Sequence, residues 1–291
     1  MKIRSPWPSV SVHRLSLVTV ALVLLLPGKS ATAREWTQVL TPTANDLTAV
    51  HFSDSMNGYA SGAFGTLLKT TNGGGSWAVV PTPVNFSFVS VWSHSADSAM
   101  VGRVGLYGTD DCGKSWDSDI GGFEKFSSSI FDILFTTKDI GFFIKEGNVF
   151  RSDDGGAEWS LVGGSGQFLD DIHYAGGQTI YATGGITFIE INGAVDHGQL
   201  ERSRDGGLTW APVLLEGIGD IHAAAWRSEQ EGFVFTFSNT AHRTTDGGDS
   251  WSLVTDSMVD DEGNRLPAIV TDALIDDDGR FIGVDFNGNL L

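Results

Sequence analysis

The chain has 291 residues, with 36 acidic side chains against 18 basic ones and a net charge of −18. Negative charge on this scale repels both nucleic acid and an anionic membrane surface, so neither is expected as a partner. The single cysteine, Cys112, excludes an internal disulfide, and the fold must rest on its packed core.

Residues 1–33 carry the three parts of a secretory signal peptide. Lys2, Arg4 and Arg14 form a basic start, Leu15 to Leu26 an apolar run, and Ala31-Thr-Ala33 a small-residue cleavage pattern. The run is about a dozen residues, short of the ~20 that span a bilayer as a helix. Cleavage after Ala33 is expected, leaving residues 34–291 as one exported domain of 258 residues with a net charge of −22. No cysteine adjoins that site for lipid attachment, and no arginine pair marks export in the folded state.

One pattern then recurs five times: Thr70 to Trp77, Thr109 to Trp116, Ser152 to Trp159, Ser203 to Trp210 and Thr244 to Trp251. Each copy reads Ser/Thr-x-Asp/Asn-x-Gly-x-x-Trp, with Asn72, Asp111, Asp154, Asp205 and Asp246 in third place. From Trp to Trp the steps are 39, 43, 51 and 41 residues, a period that marks a repeat architecture. The chemistry is that of a turn. The carboxylate accepts from backbone amides two residues on, the fifth-position glycine takes angles a side chain forbids, and the hydroxyl holds a neighbouring backbone group. The tryptophan begins the next strand and is expected to bury its face against the neighbouring repeat.

Upstream of each box lies a short apolar segment ending in Phe52, Trp92, Phe135, Tyr174 or Trp226, and a sixth such segment ends in Ile275. Gly58, Ser98, Gly141 and Gly232 follow six residues later and read as the next turn. Segments such as Tyr59-Ala-Ser and Phe142-Phe-Ile come next, then Thr66-Leu-Leu-Lys and Asn148-Val-Phe-Arg. Each repeat thus supplies four short strands, the content of a propeller blade, and no helical period is visible beyond the leader. The fourth repeat is longer because of Phe188 to Glu201, read as an extended hairpin between its second and third strands.

The repeat resembles the Asp-box, or bacterial neuraminidase repeat, of several β-propeller families. A longer stretch is similar to the photosystem II stability/assembly factor family: Pro42-Thr-Ala-Asn-Asp-Leu47, Val50-His-Phe52, Asn57-Gly-Tyr59, Gly65-Thr-Leu-Leu-Lys-Thr70 and the first box. The resemblance implies an all-β propeller that acts as a non-enzymatic scaffold. The implied partner is a protein, such as an integral membrane protein or an assembly complex, and the implied site is the periplasm, the medium or a thylakoid lumen. A monomer is expected. Two other readings stand beside it: a sialidase-type glycoside hydrolase, and a structural module of a cell-surface assembly.

No catalytic set emerges to support the hydrolase. The early Arg-Ile-Pro motif of sialidases is absent, and Arg151, Arg202 and Arg243 share the slot of Lys69, just ahead of the box, as end-of-strand cations. His51 and His173 occupy matching positions in the first and fourth repeats, but two histidines without a third ligand make a poor metal site. The acidic stretch with Asp256, Asp260, Asp261 and Glu262 lacks the ligand spacing of a calcium loop, as does Asp276-Asp-Asp-Gly279. No metal or cofactor is expected, and Cys112 reads as an incidental turn thiol. Protein contact is expected instead on the loops opposite the boxes, at Phe64, Arg103, Phe123, Lys125, Phe126, Arg265 and the Phe188–Glu201 hairpin, because exposed aromatics and arginines anchor interfaces. The alternative for the phenylalanines is that they plug the ring.

The two ends predict closure. Gly288-Asn-Leu-Leu291 matches Gly65-Thr-Leu-Leu68, so the chain stops inside a sixth blade, while Trp36-Thr-Gln-Val-Leu40 resembles the strand at Trp77-Ala-Val-Val80. Joining residue 291 to residue 34 gives a last step of 43 residues. Six blades are expected, closed by strand 36–40, which removes an open sheet edge. The alternative of seven blades averages about 37 residues each, below every observed step.

Overall fold

The computed structural model describes residues 38–118, 120, 129–164, 169–186, 197–215, 217–219, 221–236, 238, 240–255, 270–275 and 281–285. The chain divides into two units, one of residues 1–101 and 107–118 and the other of residues 102–106 and 119–291.

The first unit begins with an antiparallel sheet whose strands run in chain order: β1 (Leu47–Phe52), β2 (Gly58–Gly62), β3 (Leu67–Thr70) and β4 (Ala78–Val79). A short 3-10 turn, Ala63–Gly65, joins β2 to β3. Next come β5 (Ser90–Ser93), β6 (Ala99–Arg103) and β7 (Gly105–Thr109), the 102–106 end of this hairpin being grouped with the second unit. Among the described residues, β7 is followed on its outer side by an isolated bridge between Gly108 and Asp117.

The second unit repeats the same meander. β8 (Ile130–Phe135), β9 (Gly141–Lys145), β10 (Asn148–Ser152) and β11 (Ser160–Gly163) form one sheet. β12 (Leu169–Gly176), β13 (Thr179–Ile186), β14 (His197–Ser203) and β15 (Ala211–Pro212) form the next. β16 (Ile221–Trp226), β17 (Gly232–Thr236), β18 (Ala241–Thr244) and β19 (Ser252–Thr255) form a third, and β20 (Val270–Ile275) pairs with β21 (Phe281–Asp285). The chain is therefore all-β, built from four-stranded antiparallel meanders of the propeller-blade type, one for most of the predicted repeats. The longer fourth repeat is a hairpin as expected, with β13 and β14 in register from Ile180 and Ser203 to Ile186 and His197. Residues 197–201, assigned to the excess, belong to strand β14 itself.

Gly58, Gly141 and Gly232 do not sit in turns, as the spacing had led us to expect. Each is the first residue of its sheet's second strand, opposite the aromatic that ends the first. A Cβ at Gly58 would stand 2.7 Å from the Phe52 ring, one at Gly141 2.3 Å from Phe135, and one at Gly232 2.2 Å from Trp226. The glycine is a seat for the ring. The first strands share a second device, a register shift after their first residue, seen at Leu47/Ala49, Ile130/Asp132, Leu169/Asp171, Ile221/Ala223 and Val270/Asp272. Such a bulge leaves a backbone amide out of the ladder. Asp132, Asp171 and Asp272 each accept the next residue's amide at 2.7 to 2.9 Å, from Ile133, Ile172 and Ala273.

In the first unit Tyr59, Leu67, Phe88 and Val101 are fully buried in one cluster, and Ala60, Leu68 and Trp77 pack in another. In the second, Tyr181, Ile221 and Val234 share a core. Hydrogen bonds join adjacent sheets within each unit. The Tyr59 hydroxyl donates to Ala96 O at 2.9 Å, the Tyr181 hydroxyl to Gly247 O at 2.9 Å, and Ile172 N to Asp132 Oδ2 at 3.2 Å.

Candidate functional site

The five boxes share one geometry. The first hydroxyl, of Thr70, Thr109, Ser152, Ser203 or Thr244, is buried and accepts the amide of the fifth-position glycine at 2.7 to 2.9 Å. Those glycines hold φ between 78° and 98°, which a side chain would strain. The same hydroxyl donates to the third residue's Oδ1. That Oδ1, on Asn72, Asp111, Asp154, Asp205 or Asp246, accepts the amide four residues on at 2.8 to 3.0 Å. The reach is thus twice that expected, because the carboxylate spans the whole turn. Hydrogen bonds from the seventh residue's hydroxyl and then its amide lower Asp111, Asp205 and Asp246 to about 2. Asp154 is lowered chiefly by the amide of Glu158.

The fourth residue's amide ties the box to its own sheet. Gly73, Cys112, Gly155, Gly206 and Gly247 donate to Met56, Asp97, Asp139, Gln178 and Gln230, in the turns between first and second strands. Trp77 and Trp159 depart from the expected packing against a neighbour and meet Phe52 and Phe135 of their own sheets edge-on at 6.0 and 5.8 Å. Trp251 meets Trp226 of its own sheet edge-on at 6.1 Å and also packs against the cluster that holds Tyr181 and Leu200 of the preceding sheet. Trp116 and Trp210 do reach the preceding sheet, at Pro81 O and the Phe142 ring.

The cations ahead of the boxes are ion-paired. Arg151 meets Asp153, Arg202 meets Asp249 and Arg243 meets Glu231, at 2.5 to 2.8 Å. Lys69 lies 3.0 Å from Asp97 and 2.9 Å from Cys112 Sγ. Burial opposes its charge, but the hydrogen bonds with Cys112 and Asp97 prevail and raise its pKa.

The histidines serve structure as well. His51 stacks on Trp92 at 3.6 Å and accepts Ser93 N at 3.0 Å. Its burial and the nearby His94 lower it to about 3. His173 bonds Thr183 Oγ1 at 2.9 Å and faces Asp171 at 3.3 Å. Among the described residues, no three His, Cys, Asp or Glu side chains gather as a metal site. The four tyrosines are the candidates for a sialidase-type nucleophile. Tyr59, Tyr107 and Tyr181 are at most 4% exposed, and the Tyr174 hydroxyl donates to Gly177 O.

Of the expected contact residues, Phe64 is the one the structure displays most openly, 74% exposed. It holds φ 56° and ψ 39°, an outlier for a bulky residue. Its neighbours hold it there. Ala63 N donates to Asp46 O and Gly65 N to Phe86 O, both at 2.8 Å, and Thr82 Oγ1 donates to Gly65 O at 2.7 Å. Asn45 Nδ2 closes the platform on Thr66 Oγ1 at 2.8 Å. Arg103 ends β6, half-buried, and belongs to the other unit. Phe123, Lys125, Phe126, Arg265 and the closing Trp36 lie outside the described residues, as do positions 188–196 of the long hairpin.

Sequence reasoning passed over the junction of Lys69, Asp97 and Cys112. The signal was present, since Cys112 (φ 61°) occupies the left-handed fourth position that glycine fills in the other four boxes.

Residues 28–160 match the family model for the photosynthesis system II assembly factor YCF48. No curated protein matches the chain. Among solved structures, YCF48 from Cyanidioschyzon merolae is 16% identical, with a TM-score of 0.65 over 89% of this chain and 84% of that one. An ancestral GH74 enzyme gives 15% identity and a TM-score of 0.63, covering 88% of this chain but 40% of the enzyme. The WD40 repeats of RRP9 give 9% and 0.64, over 87% and 77%. At these identities the structural likeness establishes a propeller-type fold, which enzymes and non-enzymes share. The family match adds a resemblance: over residues 28–160 the chain is similar to the photosystem II assembly factor family.

Proposed function

We propose that this chain is an exported, non-catalytic propeller that holds a protein partner during the assembly of a membrane protein or membrane complex. The match of residues 28–160 to an assembly-factor family carries the reading. The commitment of the described arginines ahead of the boxes to ion pairs, and the burial of three tyrosines, favour it over glycoside hydrolysis. In this proposal residues 1–33 are removed on export to the periplasm or an equivalent compartment. Residues 34–291 form one six-bladed ring, in which strand 36–40 supplies the outer strand of the C-terminal blade. The partner surface lies on the loops opposite the boxes, with Phe64 as an anchor and Arg103 as a further contact residue.

The test is cross-linking in the native host, followed by purification of the tagged protein and identification of what it carries. Membrane-protein subunits recovered with the wild type and lost with Phe64→Ser support the reading. Recovery unchanged by Phe64→Ser and Arg103→Glu removes this face from the proposal. Turnover of a sialoside by the purified protein overturns the non-catalytic assignment.

A further inference from the structure

We propose that Cys112 and Lys69 form an oxidative cross-link site, at which a peroxide joins the third strand of the first sheet to the second Asp-box. Three groups from different segments converge there. Cys112 Sγ donates to Asp97 Oδ1 at 2.9 Å and accepts from Lys69 Nζ at 2.9 Å, while Lys69 and Asp97 are 3.0 Å apart. The nitrogen and the sulfur already touch, so no strand has to move to join them.

A cavity of about 310 Å³ opens onto the pair, lined by Lys69, Thr71, Ser76, Trp77, Val79 and Cys112 among others. It admits a small oxidant. Trp77 in its wall is 8% exposed, and its buried indole N–H has no hydrogen-bond partner among the described residues.

The chemistry balances in two steps. First, the thiol sulfur attacks one peroxide oxygen and the O–O bond breaks. The thiol proton passes by way of Asp97 to the departing hydroxide, one water leaves, and Cys112 becomes a sulfenic acid. Second, Lys69 loses a proton to solvent, and the electron pair so freed attacks the sulfenic sulfur. The S–O bond breaks, the leaving hydroxide takes a second proton from the nitrogen, and another water departs. The product is a neutral S–N bond between Cys112 and Lys69. Sulfur loses two electrons, peroxide gains them, and the one surplus proton is the one that Lys69 gave to solvent. Condensation of a sulfenic acid with a nitrogen is established cysteine chemistry. A lysine held in contact with the sulfur takes that nitrogen's place.

The experiment treats the purified full-length protein with hydrogen peroxide and reads intact mass and the tryptic map. The expected product is lighter by two hydrogens, is no longer cut after Lys69, and is restored by a thiol reductant. Lys69→Arg keeps a cation beside Asp97 but offers no comparable nucleophile, so oxygen is instead added at Cys112. Cys112→Gly, the residue of the other four boxes, abolishes both products. A wild-type protein that only gains oxygen and is still cut after Lys69 overturns the proposal. So does an unmodified Cys112, a disulfide-linked dimer as the main product, or loss of two hydrogens from Lys69→Arg.

Discussion

The Phe135 ring lies over Gly141, with Cε1 only 2.3 Å from where a Cβ on that glycine would stand. The same pairing joins Phe52 to Gly58 and Trp226 to Gly232, so a close approach recurs wherever a first strand ends in a ring. Gly141→Ala therefore forces the buried Phe135 ring aside. A loss of about 1–3 kcal/mol is expected, as for other overpacked cores, although alanine normally suits a strand better than glycine. Urea unfolding of Gly141→Ala, alone and combined with Phe135→Leu, checks this. The smaller side chain is expected to recover most of the loss. Equal losses in both backgrounds exclude the ring as the cause.

The box hydroxyls are buried and both accept and donate, so their removal deletes the bond from the glycine amide together with the bond to the box carboxylate. Ser203 is 1% exposed, and its Oγ accepts Gly207 N at 2.8 Å. Ser203→Ala leaves that amide without an acceptor and is expected to cost about 1–3 kcal/mol. Ser203→Thr keeps the hydroxyl and, as in the Thr70, Thr109 and Thr244 boxes, is expected to stay near wild type. A Thr variant as unstable as the Ala variant points to packing instead.

Acid sensitivity follows from the direction of the shifts. His51 is lowered from 6.5 to about 3, so below pH 6.5 the unfolded chain takes up a proton that the folded chain refuses. Stability is present above the unfolded pKa and is lost as pH falls from 6.5 toward 3, by up to about 1.4 kcal/mol per pH unit for this one group. The box carboxylates Asp111, Asp205 and Asp246 act lower. Held near 2, they contribute stability above the unfolded value of 3.8 and lose it as pH falls through about 2. Thermal melts from pH 7 to 4 are expected to decline for the wild type. A shallower decline is expected for His51→Phe, and an identical slope excludes His51 as the source.

Phe64 trades stability for display. A left-handed backbone costs a non-glycine residue roughly 1–2 kcal/mol, and a side chain 74% exposed recovers little by burial. Phe64→Asn, a residue that tolerates these angles, is expected to melt at or above the wild-type temperature while losing partner recovery. A variant that melts well below wild type shows that the ring packs into the fold.

Much of the local architecture was legible because its interactions are short in sequence. A box bond spans at most four residues, and each hairpin pairs neighbours across a turn, so composition and spacing alone disclose them. The glycines at 58, 141 and 232 were misplaced for a related reason. A small residue beside a strand reads as a turn until the ring that covers it is seen. Trp77 and Trp159 were misplaced in the same way, since nothing local tells a large indole which sheet it meets.

The sequence by itself determined the repeat, its turn chemistry and the four-stranded meander, because each is encoded within one period of about 43 residues. Only the tertiary structure decided which side chains act between repeats. Tyr59 reaches Ala96, Ile172 reaches Asp132 and Lys69 reaches Cys112 across 37, 40 and 43 residues. Such contacts carry no periodic signal, since they depend on how far a side chain extends once two sheets are packed. The repeat brought Lys69 and Cys112 to adjoining sheets, and packing alone set them 2.9 Å apart.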